Sequence, residues 1–238
     1  MSFDLLSFLF PNPCVCCMRV TGRNRFLCPT CEKDFSFYPT ENACKTCGAP
    51  LSSESNVCGQ CLSLKPAYQQ LVVCATYSGK LRTALHRYKF YGRTDLAASF
   101  ALMLSTRIRQ LGCSDFDAVV PMPLSKERRR QRGFNQAERI ARRVAKEFHV
   151  PCISNALSRK KDTKQQAMLH KGARRKNIRG AFALSNKEAL FGKRILLVDD
   201  IFTTGATMRE AAKMLSSSAA SVTACVVART AAKNDWFL

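Results

Sequence analysis

From residue 66 onward the chain alternates short, continuous apolar runs with longer stretches in which apolar residues recur at helical spacing. The runs at 71–77, 116–122, 195–198 and 222–228 predict buried β-strands, and the stretches at 96–111, 135–148 and 207–217 predict helices. Strands that are apolar along their whole length are typical of parallel sheets covered on both faces. The pattern therefore predicts an α/β domain over residues 66–238, with helices on both faces of a parallel sheet.

Residues 1–65 lack this alternation and hold nine of the 13 cysteines, which predicts a separate, small Cys-rich module. The first ten residues are largely apolar, but they include Asp4 and have neither a basic flank nor a cleavage pattern. No other stretch is long and apolar enough to span a bilayer. The chain is therefore predicted to be cytoplasmic, and because cytosolic thiols stay reduced, its cysteines indicate metal binding rather than disulfides.

Four Cys-x-x-Cys pairs follow one another in the module, separated by 10, 12 and 10 residues. They are Cys14/Cys17, Cys28/Cys31, Cys44/Cys47 and Cys58/Cys61. A two-residue spacer lets both thiolates face one ion, and two such pairs complete a tetrahedral zinc site. Eight cysteines thus predict two zinc ions, and a module this small is expected to owe much of its folding energy to the metal.

Two points of the zinc prediction stay open. The spacing favours pairing in sequence order, as a double zinc ribbon, but a cross-braced arrangement of pairs one with three and two with four has the same ligand count. Cys16 duplicates the first pair and can replace a neighbour as ligand. An iron–sulfur cluster is disfavoured, because its ligand runs usually include closer triple spacings.

The charge of the chain is strongly positive and unevenly distributed. Lys and Arg outnumber Asp and Glu by 38 to 17, for a formal net charge of +21, and residues 126–179 alone hold 18 basic and 4 acidic residues. A solvated face is the ordinary explanation of this basic segment, and a polyanion partner is the alternative. The segment has few aromatic residues, Phe134 and Phe148 with Phe182 just beyond it, so no base-stacking platform is predicted there. So basic a chain can also lie on an anionic membrane surface, which adds the inner face of the membrane as a second location.

One stretch combines a predicted strand with the chemistry of a phosphate site. Residues 195–198 are apolar, Asp199 and Asp200 follow them, and a loop from Thr203 to Thr207 opens the next predicted helix. Loop amides and hydroxyls at a helix N-terminus suit an anion, and Gly205 lets the backbone approach it. The two carboxylates, placed where parallel sheets bind ligands, can accept hydrogen bonds from ribose hydroxyls or hold a hydrated Mg²⁺. An ordinary strand–turn–helix with two surface aspartates is the alternative.

The same stretch matches the signature of type I phosphoribosyltransferases: four apolar residues, two acids and a Thr-Thr-Gly loop. By that resemblance, Asp199 and Asp200 would bind the ribose of phosphoribosyl pyrophosphate (PRPP), together with Mg²⁺. The residues that would bind its 5′-phosphate are Thr203, Thr204, Gly205, Ala206 and Thr207.

Three further motifs indicate which family of phosphoribosyltransferase-like proteins the chain resembles. The first is Pro121-Met122-Pro123-Leu124 with Arg132-Gly133-Phe134-Asn135-Gln136, and the second is Tyr77-Ser78-Gly79 followed by Lys89 and Gly92. The third is a set of residues spaced as in a flexible hood over the site: Arg159, Thr163, Gln166, Leu169, Arg175, Asn177, Gly180 and Phe182. With the zinc module, these motifs resemble the ComF/GntX family over nearly the whole chain.

The family resemblance implies a type I phosphoribosyltransferase fold with a flexible hood behind a double zinc ribbon, and it adds Arg132 and Lys89 to the PRPP-binding residues. It also implies a role in natural competence and DNA utilisation, with single-stranded DNA as a ligand and a DNA-translocation helicase as a partner. The alternative is an active phosphoribosyltransferase acting on a nucleobase or another small nucleophile. The sequence shows no base-recognition loop for that activity, and no catalytic residue is assigned.

Overall fold

The computed structural model describes residues 12–22, 24–51, 55–160 and 180–231. Its helices are α1 (Pro29–Glu32), α2 (Gly59–Leu64), α3 (Gly79–Phe90), α4 (Leu96–Gln110), α5 (Lys126–Arg132), α6 (Gln136–Glu147) and α7 (Ala206–Leu215). Its strands are β1 (Gln70–Thr76), β2 (Ala118–Pro121), β3 (Leu157–Arg159), β4 (Phe182–Leu184), β5 (Arg194–Phe202) and β6 (Ser221–Arg229).

Four strands form a parallel sheet in the order β1-β6-β5-β2. Strands β3 and β4 pair antiparallel in a separate two-stranded sheet. Because the four strands are parallel, their carboxyl ends lie along one side of the sheet, called here the carboxyl edge, where α/β proteins bind ligands. The predicted α/β fold is confirmed.

The sheet is covered on both faces, as the continuous apolar strands predict. In β5, Leu196 and Val198 pack in one core with α4 and α6, whereas Ile195 and Leu197 pack in the other core with α7. This alternation follows from the two-residue period of a strand. Within the described residues, no helix is long and apolar enough to cross a membrane.

The cysteine module is a tandem repeat. Each cysteine of the second group lies 30 positions after its counterpart in the first, as Cys44 does after Cys14. The backbone repeats as well: the Cys14 amide donates to Arg19 O at 2.8 Å, and the Cys44 amide donates to Ala49 O at 2.7 Å. In both halves the third cysteine immediately precedes a short helix, α1 or α2. The structure thus groups the cysteines in sequence order.

The module lies along the outer edge of β1, which no strand of the sheet covers. The Tyr38 amide donates to Cys74 O at 2.7 Å, and the Leu71 amide donates to Lys45 O at 3.0 Å. Arg107, a buried residue of α4, donates from Nε to Val73 O at 3.3 Å. An open edge would expose unpaired backbone groups, so these contacts stabilise β1 and protect it from pairing with another chain.

Both halves of the module contribute to the cores of the second domain. Cys14 and Cys28 belong to the core that contains Phe100 of α4, whereas Cys44 and Cys61 belong to the core on the opposite face of the sheet. The module therefore also buries apolar surface against the sheet and α4, which adds to the folding energy expected from zinc. The boundary between residues 65 and 66 stays a prediction.

Candidate functional site at the carboxyl edge

The loop from Thr203 to Thr207 connects β5 to α7 and leaves its amides available. Within the described residues, the amides of Thr203, Thr204, Gly205 and Thr207 donate to no backbone acceptor. Thr203 is exposed, and Thr204 and Thr207 are half-buried. A row of free N–H groups at the N-terminus of a ten-residue helix favours an anion through both hydrogen bonding and the helix dipole.

Gly205 has two structural reasons for being glycine. Its φ of +70° lies in the left-handed region, and a Cβ there would lie 2.9 Å from Phe202 Cε2 and 2.8 Å from Arg209 Nη1. The sequence suggested that Gly205 allows an anion to approach. The structure shows that it also makes room for the Phe202 ring, which packs directly on the loop.

Strand β5 continues through both acids to Phe202, four residues past Val198, where the sequence pattern placed its end. The continuation is stabilised by pairing of Ile201 and Phe202 with Ala228 and Arg229 of β6. Because side chains alternate along a strand, Asp199 and Asp200 point to opposite faces of the sheet. The two acids therefore serve different sides of the carboxyl edge.

Each acid has its own surroundings. Asp199 lines a small pocket together with residues of the loop and the start of α7: Ile201, Phe202, Thr203, Gly205, Thr207 and Met208. Asp200 faces α3, where Lys89 Nζ lies 3.0 Å from its Oδ1 and both side chains are largely buried. This ion pair compensates the charge of Asp200, whereas Asp199 accepts a hydrogen bond at 2.8 Å from the Asp200 amide.

The environment of Asp199 disfavours its charged form. Burial, together with the neighbouring charge of Asp200, raises the pKa of Asp199 to about 7, although the hydrogen bond from the Asp200 amide and the charges of Lys89 and Arg159 oppose the shift. A bound cation, or hydroxyl donors from a ligand, would relieve this unfavourable charge. The pocket is thus suited to a polyhydroxylated or metal-bound ligand.

Arg132 reaches the same region from the end of α5. Its guanidinium carbon lies 4.8 Å from the centroid of the Phe90 ring, and Nη1 donates to Gln136 Oε1 at 3.2 Å. Burial lowers the pKa of Arg132, and the negative charges of Asp200 and Asp199 oppose that shift. Lys89 pairs with Asp200, and Arg132 stacks on Phe90, the residue that follows Lys89, so cations from two different helices meet at this end of β5.

The Arg-Gly-Phe-Asn-Gln motif has a structural explanation. Gly133, with φ +75°, ends α5, and its amide donates to Arg129 O at 2.9 Å. Asn135 then caps α6, because its Oδ1 accepts from the Ala137 amide at 3.1 Å. Its Nδ2 donates to Met122 O at 3.1 Å, which fixes the loop after β2. The motif thus joins α5, α6 and the carboxyl end of β2 beside the site.

The sequence did not identify Arg209 as part of the site, although this residue contacts the loop. Arg209, in the first turn of α7, donates from Nη1 to Thr204 O at 3.0 Å and holds the loop from the helix side. The signal for Arg209 is its position one helical turn beyond the Thr-Thr-Gly run, which places it on the face above the loop.

The hood is described only at its ends. Arg159 of β3 stacks on Phe182 of β4 at 5.6 Å, and the Gly180 amide donates to Glu210 Oε1 of α7 at 2.7 Å. The other predicted hood residues, Thr163, Gln166, Leu169, Arg175 and Asn177, lie outside the described residues.

The basic segment forms α5 and α6, next to the site. Arg142 pairs with Glu138 at 2.8 Å, and Arg129 lies 3.9 Å from the same carboxylate. Other cations of these helices make no ion pair within the described part of the chain: Lys126, Arg128, Arg130, Arg132, Arg139, Arg143 and Lys146. The positive charge is thus largely uncompensated by the protein itself.

The two cysteine groups fit two zinc ions. The sulfurs of each group lie within 4.8 Å of one another, and the groups are Cys14, Cys17, Cys28 and Cys31, then Cys44, Cys47, Cys58 and Cys61. The Cys17 and Cys28 sulfurs are 3.7 Å apart, as are those of Cys47 and Cys58. Tetrahedral bonds of about 2.3 Å to zinc require sulfurs about 3.8 Å apart. Cys16 is not part of either group.

Two known domain families match parts of this chain. The double zinc ribbon domain matches residues 5–62, and the phosphoribosyl transferase domain matches residues 131–235. The second match begins at the end of α5 and covers α6, the hood segment and the β5–α7 loop.

Several curated proteins are similar over most of their length. Competence protein F of Haemophilus influenzae is 30% identical over 79% of this chain and 83% of its own. DNA utilization protein YhgH of Escherichia coli K12 is 30% identical over 91% of this chain and 90% of its own. Competence protein ComFC of Bacillus subtilis is 31% identical over 80% of this chain and 79% of its own. Because the likeness extends through both the zinc ribbon and the transferase domain, this chain belongs to the ComF/GntX family.

Proposed function

We propose that the chain binds PRPP at the carboxyl edge of its sheet. The loop amides of residues 203–207 would hold the 5′-phosphate, and Asp199 and Asp200 would hold the ribose hydroxyls, with Mg²⁺ as the accompanying cation. The observation that carries the proposal is the convergence of free loop amides, two acids and two cations at one end of β5. An ordinary strand–turn–helix would not require Lys89 and Arg132 to converge there from different helices.

The charges of the site suit the two ends of PRPP. Lys89 and Arg132 supply positive charge for the pyrophosphate, and the loop supplies neutral N–H donors for the 5′-phosphate. Lys89 is held by Asp200 at 3.0 Å, so it is already positioned when the ligand arrives. A cation that binds between the acids and the pyrophosphate would neutralise both.

We further propose that the protein acts in competence or DNA utilisation in the cytoplasm, with single-stranded DNA as a second ligand. Two observations support this part: the relatives carry names from those processes, and most cations of α5 and α6 have no acidic partner within the described residues. Arginines without protein partners are available for phosphates. A helicase partner and attachment to the inner face of the membrane are further proposals, which rest on the family and the charge.

The test for PRPP is calorimetric titration with Mg²⁺ present. We expect saturable binding by the wild type, and a loss of about tenfold or more in Asp200→Asn, because asparagine keeps only one acceptor oxygen and has no charge to hold Lys89 or Mg²⁺. The control is Asp115→Asn, since Asp115 pairs with Arg194 near the amino end of β5. Absence of PRPP binding by the wild type at millimolar ligand would overturn the proposal.

The same samples distinguish a PRPP-binding protein from an active transferase. Incubation with PRPP, Mg²⁺ and a panel of nucleobases, followed by chromatography, would reveal a new nucleotide if ribose phosphate is transferred. Binding without product identifies a PRPP sensor, since the fold alone does not imply turnover.

A further inference from the structure

The end of α3 carries an aromatic row next to Lys89, the partner of Asp200. It begins at Arg132, whose guanidinium lies 4.8 Å from the Phe90 ring centroid. The His86 ring centroid lies 4.9 Å from that of Phe90 and 5.7 Å from that of Tyr91. All three rings are exposed, and the row starts beside the proposed PRPP site.

Packing does not explain why the row is aromatic. The apolar face that α3 buries consists of Leu81, Ala84, Leu85 and Tyr88. Phe90 and Tyr91 lie at the end of the helix, outside that face, with 57% and 69% of their surfaces exposed. Two adjacent, largely exposed rings form an apolar patch that indicates a ligand more than a core.

The charge beside the row defines the kind of ligand. Arg128 and Arg132 are four residues apart on α5 and therefore lie on one face of that helix. Neither makes an ion pair within the described residues, and Lys89 lies next to Phe90 in sequence. Exposed rings beside cations that make no ion pair are a surface that proteins use to bind single-stranded nucleic acid, with bases stacked on the rings and phosphates on the cations.

We propose that Phe90 and Tyr91 form a nucleobase-stacking platform for single-stranded DNA, whose phosphates are held by the arginines of α5. This inference rests on the proposed single-stranded DNA ligand and locates its bases next to the PRPP site. A duplex does not fit the platform, because its base faces are already stacked on one another. A protein partner is less suited, because the row is flanked by uncompensated positive charge.

The experiment compares two 5′-labelled oligonucleotides of 20 nucleotides by fluorescence anisotropy: oligo(dT), and an abasic strand with the same backbone. We expect the wild type to bind oligo(dT) more tightly than the abasic strand. Tyr91→Ala should weaken oligo(dT) binding by about fivefold or more and leave abasic binding and its salt dependence unchanged, because it removes stacking and no charge. Tyr91→Trp should restore the preference.

The matched control is Phe191→Ala. Phe191 is 80% exposed and precedes β5 at the amino end of the sheet, far from α3, so its removal should not change either affinity. Melting temperatures of both variants check that each is folded.

The outcomes separate the platform from the DNA ligand itself. The stacking proposal is wrong if the wild type binds both strands equally, or if Tyr91→Ala binds oligo(dT) as tightly as the wild type. In either case the proposed binding of single-stranded DNA is unaffected. If the wild type binds neither strand at low salt, the single-stranded DNA proposal fails and the platform fails with it.

Discussion

The Arg229 Nε donates a hydrogen bond to the Cys47 carbonyl at 2.9 Å and thereby fixes the second zinc ribbon to the end of β6. The Arg229 side chain is buried, and its Nη1 also donates to the Tyr38 hydroxyl at 3.1 Å. A buried guanidinium must be hydrogen-bonded to be tolerated, so this contact depends on the ribbon being folded.

Further contacts connect Arg229 to the loop between β5 and α7. Arg229 of β6 is the strand-pairing partner of Phe202 in β5. The next residue, Thr230, donates from its amide to Phe202 O at 2.9 Å. The Phe202 ring packs against Gly205, within the loop proposed to bind the 5′-phosphate. The second ribbon is thus connected to the loop through a short chain of direct contacts. The first ribbon is held instead by α4 and α3, because Ser99 Oγ donates to Pro13 O at 2.6 Å and Arg87 Nη1 donates to Met18 Sδ at 3.6 Å.

Loss of the second zinc site is therefore expected to weaken PRPP binding more than loss of the first. Cys58→Ser and Cys28→Ser are matched changes, because both residues precede the short helix of their repeat. We expect Cys58→Ser to lower PRPP affinity by about fivefold or more through Cys47, Arg229 and Phe202, and Cys28→Ser to lower it less. Titration calorimetry measures both affinities. Equal losses would mean that the ribbons act only on overall stability.

Zinc content provides a second prediction. Metal analysis of protein purified without a metal-binding tag should find about two zinc ions per chain, and about one in either serine variant. Cys16→Ser should keep both ions, because Cys16 is outside the four-sulfur groups. A drop to one ion in Cys16→Ser would assign that residue as a ligand in place of a neighbour.

The sequence predicted the sheet strands and three of the helices because their apolar periodicity is local. It missed α3, although Leu81, Ala84, Leu85 and Tyr88 follow helical spacing, and it missed α5, which has no buried face to produce such a pattern. It ended β5 too early, because Asp199 and Asp200 interrupt the apolar run while backbone pairing with β6 continues.

The arrangement of the site was harder to predict than its residues. The motifs identified Lys89, Arg132 and the acids of β5, but not that Asp199 and Asp200 face different sides. The aromatic row was missed because its rings lie outside the basic segment and only tertiary packing brings α3 beside α5. The Arg229–Cys47 contact joins residues 182 positions apart, and no local pattern marks it.

Gly205→Ala is expected to destabilise the fold as well as the loop. A methyl group there meets the Phe202 ring, and φ of +70° is unfavourable for alanine. Gly112→Ala is the control, because Gly112 has φ +64° with no atom within 4 Å of the added carbon. Gly205→Ala should lower the free energy of unfolding by about 1 kcal/mol or more beyond the control, measured by denaturant titration. Equal losses would show that the Phe202 contact relaxes without cost.

Asp199 should lower the stability of the free protein at neutral pH. Its pKa is raised to about 7 by burial and by Asp200, whereas in the unfolded chain it is near 4. Below pH 4 both states are protonated, so the effect is absent. Between pH 4 and 7 only the unfolded state releases the proton, so stability falls as pH rises.

Asp199→Asn cannot ionise and retains an acceptor for the Asp200 amide. Without ligand or Mg²⁺, its melting temperature should exceed that of the wild type by an amount that grows from pH 4 to 7 and then stays constant. Asp200→Asn should not show this gain, because it removes the partner of Lys89. A difference between Asp199→Asn and the wild type that is the same at pH 4 and pH 8 would contradict the raised pKa.

DNA affinity should depend steeply on salt through the arginines of α5. Each single-strand phosphate that the protein neutralises contributes about 0.7 to the slope of log affinity against log salt. Replacing Arg128, Arg129 and Arg130 with Gln should reduce that slope by about two units for any sequence, since phosphate contacts do not depend on the base. The control replaces Lys187, Lys193 and Lys213, which lie toward the amino end of the sheet; it removes the same charge but should leave the slope nearly unchanged. Adding PRPP to the DNA complex tests whether Arg132 binds both ligands. PRPP should displace DNA if it does, whereas DNA and PRPP should bind together if the strand contacts Phe90 and Tyr91 but not Arg132. If both triple variants flatten the slope equally, DNA responds to net charge alone and the α5 arginines are not its site.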